Sequence, residues 1–509
     1  MKTSAVIVAP RAYPTEAREF LEQSYSSLVV TNQELSRQLV SFQANKATPF
    51  FRWFKYKEGF SRPLIEYIIS RLCPEPGVLL DPFAGAGSAL LAARALGWKG
   101  VGIELLPVGI YALRARLAAE GIDEHTFCEA VKCIRTDFLS KRASGSRAFE
   151  HVTITQGAFP DDTERQLHSY LEFVRSHYSD DRVRTLLEFA AYSILESISY
   201  TRKDGQYLRW DRRSGRSNGS NGFDKGAILS FRTAIERQLN LMCEDLCITP
   251  SDLFDTTGES SGLNGPEIEI YEDTCLTKLR DLRARSVDLI LTSPPYCNRY
   301  DYTRTYALEL VFLGAGEERI RELRQAMLSC TVENREKIEQ LEAFYRDRHA
   351  LPLFEAAKVA FEGQAALHEV IDILEEERRC GQLNNPGIVR MVRNYFLEMS
   401  LVIHECSRVM KPGAYFVMVN DNVSYNGQVV PVDLILSEIA RKAGLEVQVI
   451  WKLVKGKGNS SQQMGRHGRQ EVRKCVYVWR KPTKKSTSLP ELKPASPKLS
   501  SPRNRAFRS

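Results

Sequence analysis

Thr292-Ser293-Pro294-Pro295-Tyr296 follows directly on the apolar run Val287-Asp288-Leu289-Ile290-Leu291. The run has the length and content of a buried parallel strand, and Ser-Pro-Pro ends it. Two prolines fix two φ angles and remove two N–H donors, so the turn is stiff and its carbonyls have no strand to pair with. A hydroxyl, a rigid carbonyl and an aromatic ring thus stand together at the carboxyl end of a strand, where open α/β sheets bind ligands. The cluster suits a planar group with an exocyclic amine. Ser293 and the Pro294 carbonyl can accept N–H bonds, and the Tyr296 ring can stack on its face. Taken alone, the stretch is equally a Pro-rich turn after a core strand, so the rest of the chain has to decide.

A second unit lies upstream. Val78-Leu79-Leu80 reads as a short strand, Asp81-Pro82-Phe83-Ala84-Gly85-Ala86-Gly87-Ser88 as a turn and Ala89–Leu96 as a helix. Val101-Gly102-Ile103 then forms a second strand that ends at Glu104. This is a βαβ unit with a glycine-rich first turn and an acid after the second strand, an arrangement that receives a ribose. The glycine spacing departs from GxGxxG, and Asp81 in the turn repels phosphate. A nucleoside carrying an amino group fits better, and S-adenosylmethionine meets these demands. Ile268–Asp273 resumes the sheet, and Asp273 can accept from an adenine amine. Upstream, Phe60-Ser61 ends an aromatic, basic stretch. Ser61 is placed to cap a helix whose free N–H groups can hold a carboxylate.

The 509 residues carry a net charge of +7. Most of it sits in the tail, on Lys484, Lys485, Lys493, Lys498, Arg503, Arg505 and Arg508 against Glu491. A nucleic-acid partner must therefore be argued from local patches. Tyr200–Lys225 interleaves Arg202, Lys203, Arg209, Arg212 and Arg213 with Trp210 and other aromatics. Arg299 and Arg304 follow Tyr296, and Lys455, Lys457, Arg466 and Arg469 occupy a late loop. Cations beside aromatics suit phosphates and unstacked bases, and a flexible surface loop is the plainer alternative. No apolar run approaches the roughly 20 residues of a membrane span. The 11 cysteines are odd in number and scattered, which indicates free thiols in a reducing compartment. The pairs Cys128/Cys133 and Cys243/Cys247 lack CxxC spacing, so no metal is expected.

In this order the motifs resemble those of the S-adenosylmethionine-dependent amino-methyltransferases of DNA, over 50–107, 266–305 and 390–482. Phe83, Gly85 and Gly87 match that family's FxGxG motif. Glu104 matches its ribose-binding acid, Asp273 its adenine-contacting acid, and Phe60-Ser61 the segment that holds the methionine end. Ser293, Pro294, Pro295 and Tyr296 match its catalytic motif in the SPPY form. That form goes mostly with cytosine N4, whereas DPPY and NPPY go mostly with adenine N6. Cys297 follows the tyrosine instead of replacing it, so no thiolate attack is expected.

The resemblance implies a Rossmann-like α/β class I methyltransferase sheet with a terminal antiparallel hairpin and two mainly helical insertions. The expected organisation is a helical lead-in at 1–49 and a cofactor-binding core at 50–107. An insertion of 108–265 then holds possible target recognition. Core continues at 266–313, a helical insertion or lid at 314–389 and core again at 390–482, before a disordered basic tail at 483–509. The implied reaction moves a methyl group to the exocyclic amine of a flipped base in double-stranded DNA, with cytosine N4 favoured. It implies a prokaryotic, cytoplasmic, nucleoid-associated enzyme with a cognate restriction endonuclease as partner and no metal. An adenine-N6 or RNA amino-methyltransferase, and a non-catalytic DNA-binding or specificity subunit, stay open as alternatives.

Overall fold

The computed structural model describes residues 13–140, 149–204, 207–216, 222–247, 265–454, 457–458 and 471–483. Its centre is an eight-stranded sheet of β1 (Val29–Asn32), β2 (Val78–Asp81), β3 (Lys99–Glu104), β4 (Ile268–Glu272), β5 (Val287–Thr292), β6 (Met410–Asp421), β7 (Glu446–Leu453) and β8 (Lys474–Arg480). The spatial order is β1-β7-β8-β6-β5-β2-β3-β4. Every pairing is parallel except the two made by β8, which runs antiparallel to both β6 and β7. The Rossmann-like sheet and its terminal hairpin are therefore present as the motifs imply.

Alternation along the strands sends side chains to two cores. Phe416 and Met418 of β6 pack with helices Ile388–Val409 and Val432–Lys442 on one face. Val417 and Val419 pack on the other, with Leu289 and Leu291 of β5 and helices Arg62–Leu72 and Ser88–Arg94. Burial on both faces explains why β5 and β6 read as near-continuous apolar runs. From β2 the chain builds outward through β3 and β4, then returns to β5 on the other side of β2. The carboxyl ends of β2 and β5 thus flank the switch point of the sheet, where a crevice opens.

A third core lies beside the sheet. Helices Pro107–Glu120, Glu124–Cys133, Asp161–His177, Asp181–Ser193 and Phe231–Cys247 share it with Phe50, Trp53, Phe54 and Tyr56. Asp245 pins the aromatic stretch to this layer. Its buried carboxylate accepts from the Phe50 amide at 2.8 Å, Trp53 Nε1 at 2.7 Å and Arg52 Nε at 3.0 Å. The later helical segment is Glu317–Ala326, Ile338–Asp347, Leu351–Glu362 and Ala365–Arg379.

Three local expectations change. Among the described residues the lead-in is α-helical over Glu16–Tyr25 and 3-10 helical over Phe42–Ala47, while Val29–Asn32 joins the sheet edge and 34–40 is irregular. The β-branched Val29, Val30 and Thr31 favour strand once β7 offers an unpaired edge. The apolar spacing of Leu276, Leu279 and Leu282 predicts a helix, and the segment is one α turn, Cys275–Lys278 capped by Thr274, followed by a 3-10 turn. The Tyr200–Lys225 loop contains an antiparallel ribbon, Thr201–Asp204 against Tyr207–Trp210. Lys455, Arg466, Arg469 and the basic tail from 484 lie outside the described residues.

Candidate active site

Two pockets meet at the switch point. The first is lined by Phe60, Asp81, Phe83, Gly85, Glu104, Asp273, Ser293 and Pro295, among others. The second is lined by Ser293, Pro294, Tyr296, Asp421 and Lys474, with Arg37, Lys46 and Lys57 at its wall. Glu58, Gly59, Ser293 and Tyr302 belong to both. The motifs read separately in the sequence therefore converge on one crevice, with Ser293 between its halves.

The first pocket is built by backbone. Gly85 has φ +53°, and a Cβ there would stand 2.8 Å from the Tyr56 ring. Its N–H donates to Glu104 Oε2 at 2.7 Å, and the Leu106 N–H donates to Glu104 Oε1 at 2.7 Å. The acid at the end of β3 thus holds the turn after β2. Helix Pro107–Glu120 closes from behind, because a Cβ on Gly109 would lie 2.2 Å from the Gly85 carbonyl oxygen. Gly87 serves packing: it stands before helix Ser88–Arg94, and a Cβ there would meet Leu113. Asp273 is exposed at the mouth, next to Glu104 through its own N–H to the Glu104 carbonyl at 3.1 Å. Ser61 caps its helix as expected but is fully buried and faces the Leu39 carbonyl, outside the pocket lining.

The electrostatics are one-sided. Four carboxylates, Glu58, Asp81, Glu104 and Asp273, line the first pocket, and no lysine or arginine stands among its described lining residues. Burial pushes Asp81 up to about 7 against the opposing hydrogen bonds from Thr292 and the Phe83 amide. Burial likewise raises Glu104 to about 7 against bonds from the Leu106, Gly85 and Leu105 amides. A cationic ligand would favour their ionised forms, and a phosphate would not. The acidic lining, the apolar Phe60, Phe83 and Ile103, and the glycine approach fit a nucleoside bearing an ammonium or sulfonium group.

The second pocket belongs to the SPPY turn. Thr292 Oγ1 donates to Asp81 Oδ1 at 2.6 Å, which ties the two motif turns together across β2 and β5. The Ser293 hydroxyl has the Val419 carbonyl at 3.2 Å and the Tyr296 hydroxyl at 3.3 Å as acceptors. Tyr296 is half-buried, with Lys474 Nζ 5.6 Å from its ring centre, and Lys474 in turn pairs with Asp421 at 3.3 Å. Cys297 is buried, and burial pushes its thiol far up, as an inert side chain requires.

The remaining cations scatter. Arg202 and Arg209 are exposed on the ribbon, and Arg209 stacks on Phe223 at 4.1 Å and pairs with Asp204. Trp210 lies under Arg216 at 4.6 Å. Arg212 pairs with Asp224, and Arg213 makes two bonds to buried Asp211. Lys203 is turned inward, 2.5 Å from buried Glu309 and over the Phe54 and Tyr306 rings, so it presents no charge to a ligand. Arg304 is held by Asp301 and Glu333, and Arg299, at φ +66°, reaches Asn384. Lys457 lies in a two-residue strand against Val472. The sequence reading missed Tyr56, Glu58, Asp421, Lys474 and the basic wall Arg37, Lys46 and Lys57. Only the Phe50–Phe60 aromatic run signalled any of them.

Comparison with known proteins agrees with this geometry. A family model described as DNA methylase matches residues 16–111. Type II methyltransferase M.AvaI from Nostoc sp., and the same-named protein of Anabaena variabilis, are 44% identical over 464 residues, covering 91% of this chain and 92% of theirs. Type II methyltransferase M.BsoBI from Geobacillus stearothermophilus is 37% identical over 483 residues, covering 92% of this chain and 93% of its own. No helix among the described residues is long and apolar enough to cross a membrane. With motifs, sheet order and full-length relatives in agreement, this chain belongs to the DNA amino-methyltransferase family.

Proposed function

We propose that the chain methylates the exocyclic N4 of cytosine in double-stranded DNA, with S-adenosylmethionine as methyl donor. The observation that carries this reading is Ser293, the shared wall of an acidic nucleoside pocket and an open pocket with an aromatic platform. Bound S-adenosylmethionine supplies an electrophilic methyl group on a sulfonium sulfur. Glu104 and Asp273 would hold its nucleoside end, and Asp81 with the Phe60 segment its amino-acid end. The target base must leave the duplex stack to reach the second pocket. Tyr296 gives it a stacking face, and the Ser293 hydroxyl and Pro294 carbonyl accept the N–H bonds of its amine. With its proton directed to Val419 or Tyr296, Ser293 keeps lone pairs for that amine. Those bonds favour a pyramidal nitrogen and return density to a lone pair otherwise delocalised into the ring. Position and fixed dipoles supply the acceleration, and neither a metal nor a covalent enzyme–base bond is needed.

The serine form of the motif supports cytosine over adenine, and the names of the type II relatives support a restriction-modification setting with a cognate endonuclease. The helical layer of 124–247, with its basic ribbon, is the proposed reader of the target site. The test is nucleoside mass spectrometry of DNA from an unmethylated host expressing the chain, with Tyr296→Ala as control. N4-methylcytosine that vanishes in the control is the expected result. N6-methyladenine would overturn the base assignment and keep the site. Failure to mark any DNA would favour an RNA substrate or a specificity subunit.

A further inference from the structure

Outside the crevice lining, the helical layer gathers three of the cysteines. Helix Glu124–Cys133 presents Glu124 and Cys128 one turn apart, and helix Phe231–Cys247 presents Cys243 and Cys247 one turn apart. The two helices pack side by side, so the two i, i+4 pairs face each other. The ligand atoms of Glu124, Cys128 and Cys247 all lie within 4.8 Å of one another. Cys247 Sγ donates to Glu124 Oε1 at 2.8 Å, and Cys243 stands one turn before Cys247 on the same helix. All three thiols are free, Cys128 and Cys243 half-buried and Cys247 exposed at the rim.

We infer that Glu124, Cys128 and Cys247, joined by Cys243 from the preceding turn once its side chain swings in, form a zinc site that staples helix Glu124–Cys133 to helix Phe231–Cys247. Three sulfurs and a carboxylate oxygen are the soft, borderline donor set that a four-coordinate structural Zn²⁺ takes. Sulfurs bound to one zinc at about 2.3 Å sit roughly 3.8 Å apart in a tetrahedron, a small contraction for ligand atoms of Glu124, Cys128 and Cys247 that already lie within 4.8 Å of one another. Binding replaces the three thiol protons, which leave to solvent, and no electron transfer is involved. The second helix also carries Asp245, which pins Phe50, Arg52 and Trp53. The staple would therefore fix the layer that holds the aromatic lead-in to the first pocket.

The full chain, purified under reducing conditions without chelator from zinc-supplemented cells, is expected to carry stoichiometric zinc by elemental mass spectrometry. Replacement by Co²⁺ should give the intense ultraviolet thiolate-to-cobalt bands and visible bands of a tetrahedral site. Cys128→Ser should lose most of the metal. Cys133→Ser, on the same helix but outside the cluster, should keep it. If Cys128→Ser fails to fold, the cobalt titration of the unaltered chain decides alone. Wild-type protein with no zinc and no cobalt–thiolate absorption would overturn the proposal. A Cys128–Cys247 or Cys128–Cys243 disulfide found by peptide mapping of protein alkylated at cell lysis, before any reductant is added, would overturn it too.

Discussion

The turns after β2 and β5 sit at the ends of adjacent strands and solve opposite problems. The first must bring backbone close to a ligand and keep its N–H groups. It uses Gly85 at positive φ and spends the Gly85 amide on Glu104. The second must present acceptors and withhold donors, and it uses two prolines, which have none. One turn is made permissive and then fixed from outside, by Tyr56, Gly109 and Glu104. The other is stiff in itself, and its neighbours serve mainly to orient Ser293 and Tyr296. Thr292 Oγ1 on Asp81 is the direct side-chain link between them. Substitution should therefore affect the first turn through packing and charge, and the second through contact with substrate.

Gly109→Ala should give the largest effect, about 3 kcal/mol of lost stability by overpacking, because the new methyl collides with the Gly85 carbonyl and not with a side chain that can swing away. Thermal unfolding measures it, and a melting temperature within a degree or so of wild type would show that the first turn yields more than its contacts imply. Tyr296→Ala should leave melting and S-adenosylmethionine binding intact while costing about 2 kcal/mol in target-base binding. Isothermal titration with cofactor and with duplex separates the two, and a parallel loss of both would erase the contrast between the turns. Thr292→Val should cost about 1.5 kcal/mol, since Asp81 keeps its burial and loses a partner.

The same link sharpens the pH behaviour. Burial raises Asp81 and Glu104 to about 7 in the folded chain, from ordinary values of 3.8 and 4.5. The folded state holds more protons than the unfolded one in that interval, so these groups stabilise the free protein below about pH 4, and that contribution is lost as pH rises towards about 7. A cationic ligand favours the ionised forms. The rise in melting temperature on adding S-adenosylmethionine should grow across that window, and Thr292→Val should move its midpoint upward. A ligand effect flat with pH would remove the two carboxylates from the binding step. The smallest effect belongs to exposed Arg202 on the ribbon: Arg202→Ala should weaken duplex binding evenly across sequences and lower its salt slope by about 1, with stability unchanged.

What was legible in the chain was whatever local chemistry dictates. Proline after an apolar run and glycine after Asp81 placed both turns, because each constrains its own backbone. Glu104 and Asp273 were readable because each follows a strand whose pattern is clear. Glu58, Asp421 and Lys474 were not, since nothing near them in sequence says that they will face Tyr296 or Ser293. Lys203 misled for the same reason: a basic residue in a polar loop looks solvated, yet its ribbon position turns it towards Glu309. The cysteines follow this rule as well. CxxC is a loop spacing; on a helix residues four apart share a face, and Glu124/Cys128 and Cys243/Cys247 have that spacing.

The sheet order also sets when this protein can exist. Among the described strands β1 pairs only with β7, more than four hundred residues later, and β8, the last of them, lies inside the sheet between β6 and β7. At ordinary ribosomal speeds β1 waits roughly 20–80 s for its partner. Every product that ends before β8 lacks an interior strand and keeps an open edge, a state that invites aggregation and proteolysis. Synthesis itself thus acts as a checkpoint, and an interrupted message would leave debris in place of a half-working modifier of DNA.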